Sequence, residues 1–443
     1  MSFKKKVMKN FELVYQKAAG IDIGSEKIFV SPDGNVVKVF DTYTESLEQC
    51  AKYLNELGIL SIAMEATGVY WIVLYDILEK AGFDVWLVNG AEVKNLPGRK
   101  SDVKDCQWIQ QLHSYGLLKR CFIPEESIRE LRCYTRLRDD HIQMASSHIQ
   151  HIQKSYTQMG IRLHQVISDT MGVSGLRILE AILKGERDAE KLVLLCDIRI
   201  LKNKKENVIR SLKGNYKKEY LFALRQAYQC WQFYQKQIQE CDVKISALLD
   251  QLNEGKQTIA VDHGKIIKHK ETDIVGLDQK LVLAANGKNA IRIPGISEYT
   301  FLQLLSEIGT DMSRWKSVKE FVSWLKLAPQ VDRSGKSKKK VYNGSIPKAG
   351  QLFKQVSQSL LQSKYNALGE FARKLRARKG PAIAIKATAR KLASMYYMVM
   401  SKGVEYVEAG IEKYKEKQRN QQMAYLQKKA KEYNLTLTPI LNG

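Results

Sequence analysis

Residues 18–42 read AAGIDIGSEKIFVSPDGNVVKVFDT, and their pattern sets the fold. Ile21, Ile23, Ile28 and Val30 are apolar and β-favouring, and Pro32-Asp33-Gly34 is a turn sequence. The stretch therefore predicts strand, turn, strand, turn, strand. Asp22 falls inside the first strand between two isoleucines. It reads either as an edge-strand or turn acid, or as a functional carboxylate, because an acid among core residues is costly to bury without a partner.

Working outward, residues 45–57 (ESLEQCAKYLNEL) predict a helix ending at Gly58. A strand (LSIAMEATG) follows with Glu65 near its C-terminal end, then a helix (YWIVLYDILEKAG) and a strand (FDVWLVN). After a short loop comes a helix beginning near Arg99-Lys100-Ser101-Asp102-Val103-Lys104-Asp105. Three strands in a meander followed by helix, strand, helix, strand, helix imply a mixed α/β layer with partly parallel pairing. This is the element order of the ribonuclease H-like fold, in which the first and fourth strands are neighbours. Asp102 and Asp105 are three apart and share one helix face. By themselves they read as a solvated Asp-Lys face. With Asp22 and Glu65 on adjoining strands, the four are either unrelated surface acids or carboxylates that converge, and the repulsion of a convergent set calls for divalent cations. Two such metals, about 4 Å apart, would clamp a scissile phosphate and activate the attacking oxygen. Arg99, Lys100 and Lys104 stand beside the acids as candidate phosphate contacts.

Composition narrows the partner. Lys+Arg number 71 against 47 Asp+Glu, a net +24 that favours a polyanion, nucleic acid first. The excess is uneven. Residues 331–443 carry 24 Lys+Arg and 7 Asp+Glu, and the rest of the chain is much closer to balance. An acidic site in one domain and a polyanion grip in another are the expectation. The seven cysteines form no CxxC pair, which reads as reduced thiols, not as a disulfide frame or zinc knuckle. No signal core and no membrane-length apolar run is present, so a cytoplasmic, nucleoid-associated protein with no membrane partner is expected.

From about residue 125 the period becomes helical, with a strongly polar exposed face that includes His141, His148 and His151. These histidines read as a polar face, since no Cys or acid completes a metal site. Over 221–252, apolar residues from Leu221 to Leu252 recur at spacings of three and four, a coiled-coil seam. The two helical arms can pair with each other as an antiparallel hairpin or with a second protomer. Residues 254–290 show no period and read as a linker or a small insertion. Residues 291–309 (IRIPGISEYTFLQLLSEIG) read as the turn and second helix of a helix-hairpin-helix, or as an ordinary helical corner. In the first reading, free N–H groups at the helix start face a phosphate. Next comes a polar, flexible basic loop with Arg333, Ser334, Lys336, Lys338, Lys339, Lys340 and Lys348. Composition alone makes it a phosphate-binding loop with an incidental serine. A helix (AIAIKATARKLASMYYMVMSKG) and a basic tail end the chain.

Together these segments resemble the DEDD transposases of insertion sequences that encode a structured guide, or bridge, RNA, and the related DNA invertases. The N-terminal matches are GIDIGSEKIFV, MEATGVYW, VNGAEVKNLPGRKSDVKDCQW and GLLKRCFIPEESIRELRCYTRLR. The C-terminal ones are IPGISEYTFLQLLSEIG, LAPQVDRSGK, NGSIPKAG and ATARKLA. The resemblance implies a RuvC-like N-terminal domain, a coiled-coil middle and a mainly helical C-terminal transposase domain with a nucleophilic serine. It carries the metal-binding acids onto Asp22, Glu65, Asp102 and Asp105, and the serine onto Ser334. Lys336 stands where the family usually has a second glycine, which leaves Ser337 as a rival, and Ser297 replaces a glycine of the family's PGIG turn.

The expected domains are 1–122 (catalytic), 123–256 (coiled coil), 257–290 (linker or insertion), 291–405 (transposase domain) and 406–443 (basic tail). The resemblance implies Mg²⁺ and a guide RNA as cofactors, donor and target DNA as partners, and a homo-oligomer, dimer or tetramer, whose composite site takes acids from one protomer and serine from another. The expected function is RNA-guided excision and insertion of a mobile element. The alternatives are a metal-dependent junction-resolving nuclease without a serine intermediate, a DNA invertase, and a non-catalytic nucleic-acid binding protein.

Overall fold

The computed structural model describes residues 12–93, 101–257, 259–261, 272–329, 331–334, 337–340, 346–363, 367–403, 416, 419–420 and 422–436. The chain divides into two compact units, Met1–Ile123 and Pro124–Gly443.

In the first unit, β1 (Ala18–Ile23), β2 (Lys27–Ser31) and β3 (Lys38–Asp41) form an antiparallel meander. Its second turn is closed by Asp33, whose Oδ1 accepts the N–H groups of Asn35 (2.9 Å) and Val36 (2.7 Å). Helix α1 (Thr44–Glu56) leads to β4 (Ser61–Glu65), and α2 (Trp71–Lys80) leads to β5 (Asp84–Val88). A one-turn α3 (Gly90–Val93) and α4 (Asp102–Ser114) follow. The strand order is β3-β2-β1-β4-β5, with β1–β4 and β4–β5 parallel. Parallel neighbours need long crossovers, and α1 and α2 supply them. The fold is thus mixed α/β, with β1 and β4 adjacent at the centre, compatible with a ribonuclease H-like DEDD fold.

Side-chain alternation gives the two faces different work. Ile21, Ile23, Ile28, Val30, Ile62 and Met64 are buried on the face covered by α1 and α2. Such side chains stabilise by about 1.5–3 kcal/mol each when fully buried. The other face of β1 and β4 carries Ala18, Gly20 and Asp22, and Ser61, Ala63 and Glu65. These are small or acidic, and α4 lies across them.

The second unit is mainly helical. Helix α5 (Glu126–Gln158) precedes a cluster of α6 (Leu163–Val166), α7 (Val173–Lys184), α8 (Ala189–Val193) and α9 (Ile198–Leu212). Helix α10 (Lys218–Leu252) then returns along α5. The two run antiparallel: Ile152 and Tyr156 cluster with Leu224 and Tyr228 at one end, and Arg138 is bonded to Asp242 towards the other. Leu224, Tyr228, Ile238, Cys241, Ile245 and Leu248 of the predicted seam are buried within this chain. Of the two pairings open to the seam, the arms take the antiparallel one within the chain.

Helix α5 differs from its expected solvated polar face. Arg138 is fully buried against Asp242, with Nε–Oδ1 at 2.7 Å and Nη2–Oδ2 at 3.1 Å. Asp139 is buried and accepts from Tyr299 (2.6 Å) and Gln303 (2.8 Å). A charge buried on an amphipathic helix is affordable only with such partners, and these lie more than 100 residues away in the chain.

The remaining elements are α11 (Leu277–Ala284), a 3₁₀ turn (Ala290–Arg292), α12 (Glu298–Ile308) and α13 (Val318–Trp324). After them come β6 (Val331–Ser334), β7 (Ser337–Lys340), α14 (Lys348–Leu360), α15 (Ala367–Lys379) and α16 (Pro381–Lys402). The stretch read as a linker or a small insertion holds α11, with Leu277, Leu281 and Val282 buried. One expectation changes here: in the polar loop, residues 331–334 and 337–340 form an antiparallel backbone pair. Every residue from Tyr299 to Ile308 of α12 is buried. The Ser297 hydroxyl accepts the Thr300 N–H (3.2 Å). The hydroxyl that replaces the glycine thus caps the helix internally, and the turn reads as a buried corner, not an open phosphate cradle.

Candidate active site

The site is built around a close crossing of helix and strand. A methyl group added to Gly20 would fall on the Gln110 N and Cys106 O of α4 and 2.7 Å from the Gln110 Cα. Glycine alone lets the α4 backbone lie directly on β1. The Gln110 Nε2 locks the crossing by donating to the Ala18 carbonyl at 3.1 Å, and Gln107 Nε2 donates to the Asn35 carbonyl at 2.7 Å. Asp102 and Asp105 lie in the first turn of α4, just before the crossing. Asp22 lies two residues after Gly20, on the same face of β1.

Glu65 comes from the neighbouring strand. The parallel register pairs Ile21 with Met64, so Asp22 and Glu65 occupy the next step of β1 and β4. The Glu65 side chain is buried, and its Oε1 accepts from Thr67 Oγ1 at 3.3 Å. A methyl group on Gly90 would come within 2.6 Å of the Glu65 Cδ. This second glycine leaves room for the carboxylate.

Electrostatics connect the four acids. Burial pushes the Asp22 carboxyl up from 3.8 to about 6, and the charges of Glu65, Asp102 and Asp105 push it the same way, against a hydrogen bond from the Ile23 backbone. Asp22 therefore senses all three other carboxylates predicted from the sequence. Among the described residues, no group of three or more His, Cys, Asp or Glu side chains is placed closely enough to hold a metal ion. The acids form a concentration of like charge whose hard oxygen donors fit Mg²⁺ or another hard divalent cation. The neighbouring Cys106 thiol is pushed up to about 12, by burial first and Asp22 next, and so stays a neutral thiol. Lys104 is exposed on α4. Arg99 and Lys100 lie outside the described residues.

Ser334 and Ser337 are cross-strand partners at the end of the β6–β7 ladder, and Arg333 pairs with Lys338. Lys339 and Lys340 pair with Asp332 and Val331 in the same backbone ladder. Lys336 lies outside the described residues. Lys348, expected to contact nucleic acid, instead makes an ion pair with Asp139 at 2.9 Å. It begins α14, so the pair ties the segment after the hairpin to α5.

Sequence reasoning named the four acids but missed Gly20 and Gly90, which position them. The available signal was a glycine two residues before a strand acid, on the same face. A buried histidine, His113, lies at the other end of the crossing, beside Ser61 at the start of β4. This histidine is fully buried, its Nε2 lies 2.8 Å from Ser61 Oγ, and Tyr15 stacks on its ring at 4.8 Å.

Two family models match the chain. A DEDD transposase model of the IS110 type covers residues 19–160, and a transposase model of the IS116/IS110/IS902 family covers residues 288–356. The search of curated proteins returned no match. The first match contains all four acids, and the second contains the β6–β7 pair and Lys348. The chain belongs to the IS110 family of DEDD transposases, enzymes that recombine DNA.

Proposed function

We propose that this transposase excises and inserts a mobile element through a metal-binding acid tetrad and a serine nucleophile. The observation that carries the tetrad is the placement of Asp22 and Glu65 at one step of adjacent strands, with Asp102 and Asp105 in the first turn of the helix that crosses them; burial and then these three charges raise the Asp22 carboxyl. In this reading the four carboxylates hold Mg²⁺, which when bound neutralises the scissile phosphate and favours an ionised attacking oxygen. The Ser334 hydroxyl gives up its proton and bonds to phosphorus. The departing sugar oxygen takes a proton, and the phosphoserine link keeps the strand available for rejoining. Ser337 is the alternative nucleophile. Arg333, Lys336, Lys338, Lys339 and Lys340, with Arg99, Lys100 and Lys104, neutralise backbone phosphates.

A structured guide RNA selects donor and target by base pairing, so the protein needs only shape and backbone contacts. The enzyme works as a homo-oligomer, dimer or tetramer, with acids and serine from different protomers. The long helices of residues 123–256 form its coiled-coil region, between the catalytic domain and the C-terminal transposase domain.

The test is strand transfer on element-end DNA, with the protein–DNA adduct trapped and digested. Asp102→Asn should abolish cleavage while keeping salt-sensitive DNA binding. Ser334→Ala should abolish the adduct, and the adduct peptide from the unaltered enzyme should contain phosphoserine at position 334. An adduct that survives in Ser334→Ala but not in Ser337→Ala moves the nucleophile. Cleavage and joining by both serine variants leaves a metal-dependent nuclease.

A further inference from the structure

Between the two family matches lies a stretch that neither covers, and the helical cluster α6–α9 occupies it. Helix α9, Ile198–Leu212, holds five Lys/Arg and a single acid. The buried face of α9 uses Val208, Ser211 and Leu212, so its charges are directed outward. Two grooves flank the helix, and they differ in sign. One, of about 580 Å³, is lined by Arg187 and Lys213 but also by Asp188 and Glu190. Its charges compensate one another.

The other groove, of about 400 Å³, is lined by Arg162, Gln165, Val166, Lys204, Asn207, Arg210 and Ser211. It contains no carboxylate. Three cations and two amides face the same space. The Lys204 Nζ spends one N–H on the Val166 carbonyl at 2.8 Å, which holds its charge at the groove between α6 and α9. The Arg162 backbone N–H donates to the Ser211 carbonyl at 2.8 Å, which fixes the opposite wall. A fixed set of donors with no internal anion is suited to phosphodiester oxygens.

We propose that this groove, continued along the outer face of α9, is a phosphate-backbone docking surface for duplex DNA. At 15 residues, α9 is about 22 Å long and runs past several phosphates of one strand. No aromatic residue occurs in 198–213, so the surface has no platform for the stacked bases of single strands or RNA loops. Duplex DNA is the substrate class of the enzyme. The surface needs neither the acids nor the serine, so its test measures binding without cleavage.

The experiment uses the full chain and a fluorescent DNA duplex titrated over a salt series. The triple variant Arg162→Gln/Lys204→Gln/Arg210→Gln should lower the slope of log K against log salt by about 2.7, at about 0.9 for each lost phosphate contact. Across a fourfold rise in salt, the unaltered enzyme should then lose about 40-fold more affinity than the variant. A control, Lys184→Gln/Lys191→Gln/Lys213→Gln, removes the same charge near the mixed-sign groove and should keep the slope. The single exposed change Arg210→Gln, with an expected drop of about 0.9, reads the same effect with the least disturbance of the fold. An unchanged slope, or equal drops in both triples, overturns the proposal. So does a drop confined to an RNA duplex of the same sequence.

Discussion

Replacing Gly20 by alanine isolates the packing that brings the acids together. The added methyl meets backbone atoms of α4, which cannot rotate aside, and the Gln110 Cα stands 2.7 Å away. The Gln110 N and Cys106 O stand nearer still, and an ordinary contact begins near 3.4 Å, so α4 must retreat by about 1 Å or more. Asp102 and Asp105 start that helix and move with it. Overpacking of this kind costs about 1–3 kcal/mol of stability. A displacement of about 1 Å at a reacting centre costs on the order of 100-fold in rate, so a fall of tens-fold is expected for Gly20→Ala. The assay is single-turnover cleavage of element-end DNA in Mg²⁺, with the unfolding midpoint measured in parallel. Ile21→Val is the control, because Ile21 is fully buried on the opposite face of the same strand. It should cost about 0.5–1.5 kcal/mol and leave the rate nearly intact. A Gly20→Ala enzyme that cleaves at the unaltered rate, or slows no more than Ile21→Val, refutes the view that this crossing sets the acid geometry.

Two further outcomes follow from the electrostatics. Asp22→Asn removes one of four mutually repelling carboxylates, so the metal-free protein should melt higher while losing the rise in Tm that Mg²⁺ or Mn²⁺ gives the unaltered chain. A lower metal-free Tm with the metal increment retained would count against the tetrad. His113 is driven down from 6.5 to about 4 chiefly by burial, with Arg120 adding to and Asp84 opposing the shift. Between those values the unfolded chain binds more protons, so the stability of the N-terminal unit is full above pH 6.5 and falls as pH drops towards 4, by at most about 1.4 kcal/mol per unit. In urea titrations at pH 7 and 5, His113→Gln should show a shallower acid loss, and identical losses in both proteins would exclude the buried ring as the cause.

The residues differ in how far they announce their surroundings. Asp22 and Glu65 were legible because each interrupts an apolar strand pattern, and a polar break in a period of two is local information. Asp102 and Asp105 were legible only through that strand order, since their own helix face looks like any solvated one. The burial of Arg138 and Asp139, on the helix read as having a polar exposed face, was hidden for the opposite reason. They sit on a helix rich in charge, and the groups that justify their burial, Asp242, Tyr299, Gln303 and Lys348, are brought up by later elements. The β6–β7 pair was hidden by its lysines, since hydrophobic alternation is the signal that sequence reading follows. Gly20 carries no side chain to argue from, and its meaning lies entirely in what crosses it.

The antiparallel arms α5 and α10 also bear on how such an enzyme can vary. Chain leaves along one arm and comes back along the other, so everything between Met159 and Lys217 is attached through two adjacent ends. The interactions that fasten the arms to the rest of the unit, Asp139 with Tyr299 and Arg136 with Glu307, lie at the far end from that attachment. From Asp139 to Gln158 is about 29 Å of helix. A cassette mounted this way can be shortened, lengthened or exchanged without re-registering the arms at their base. Related enzymes could diverge there quickly while the segments at either side stay fixed, and an engineer could graft a different recognition module at the same two points.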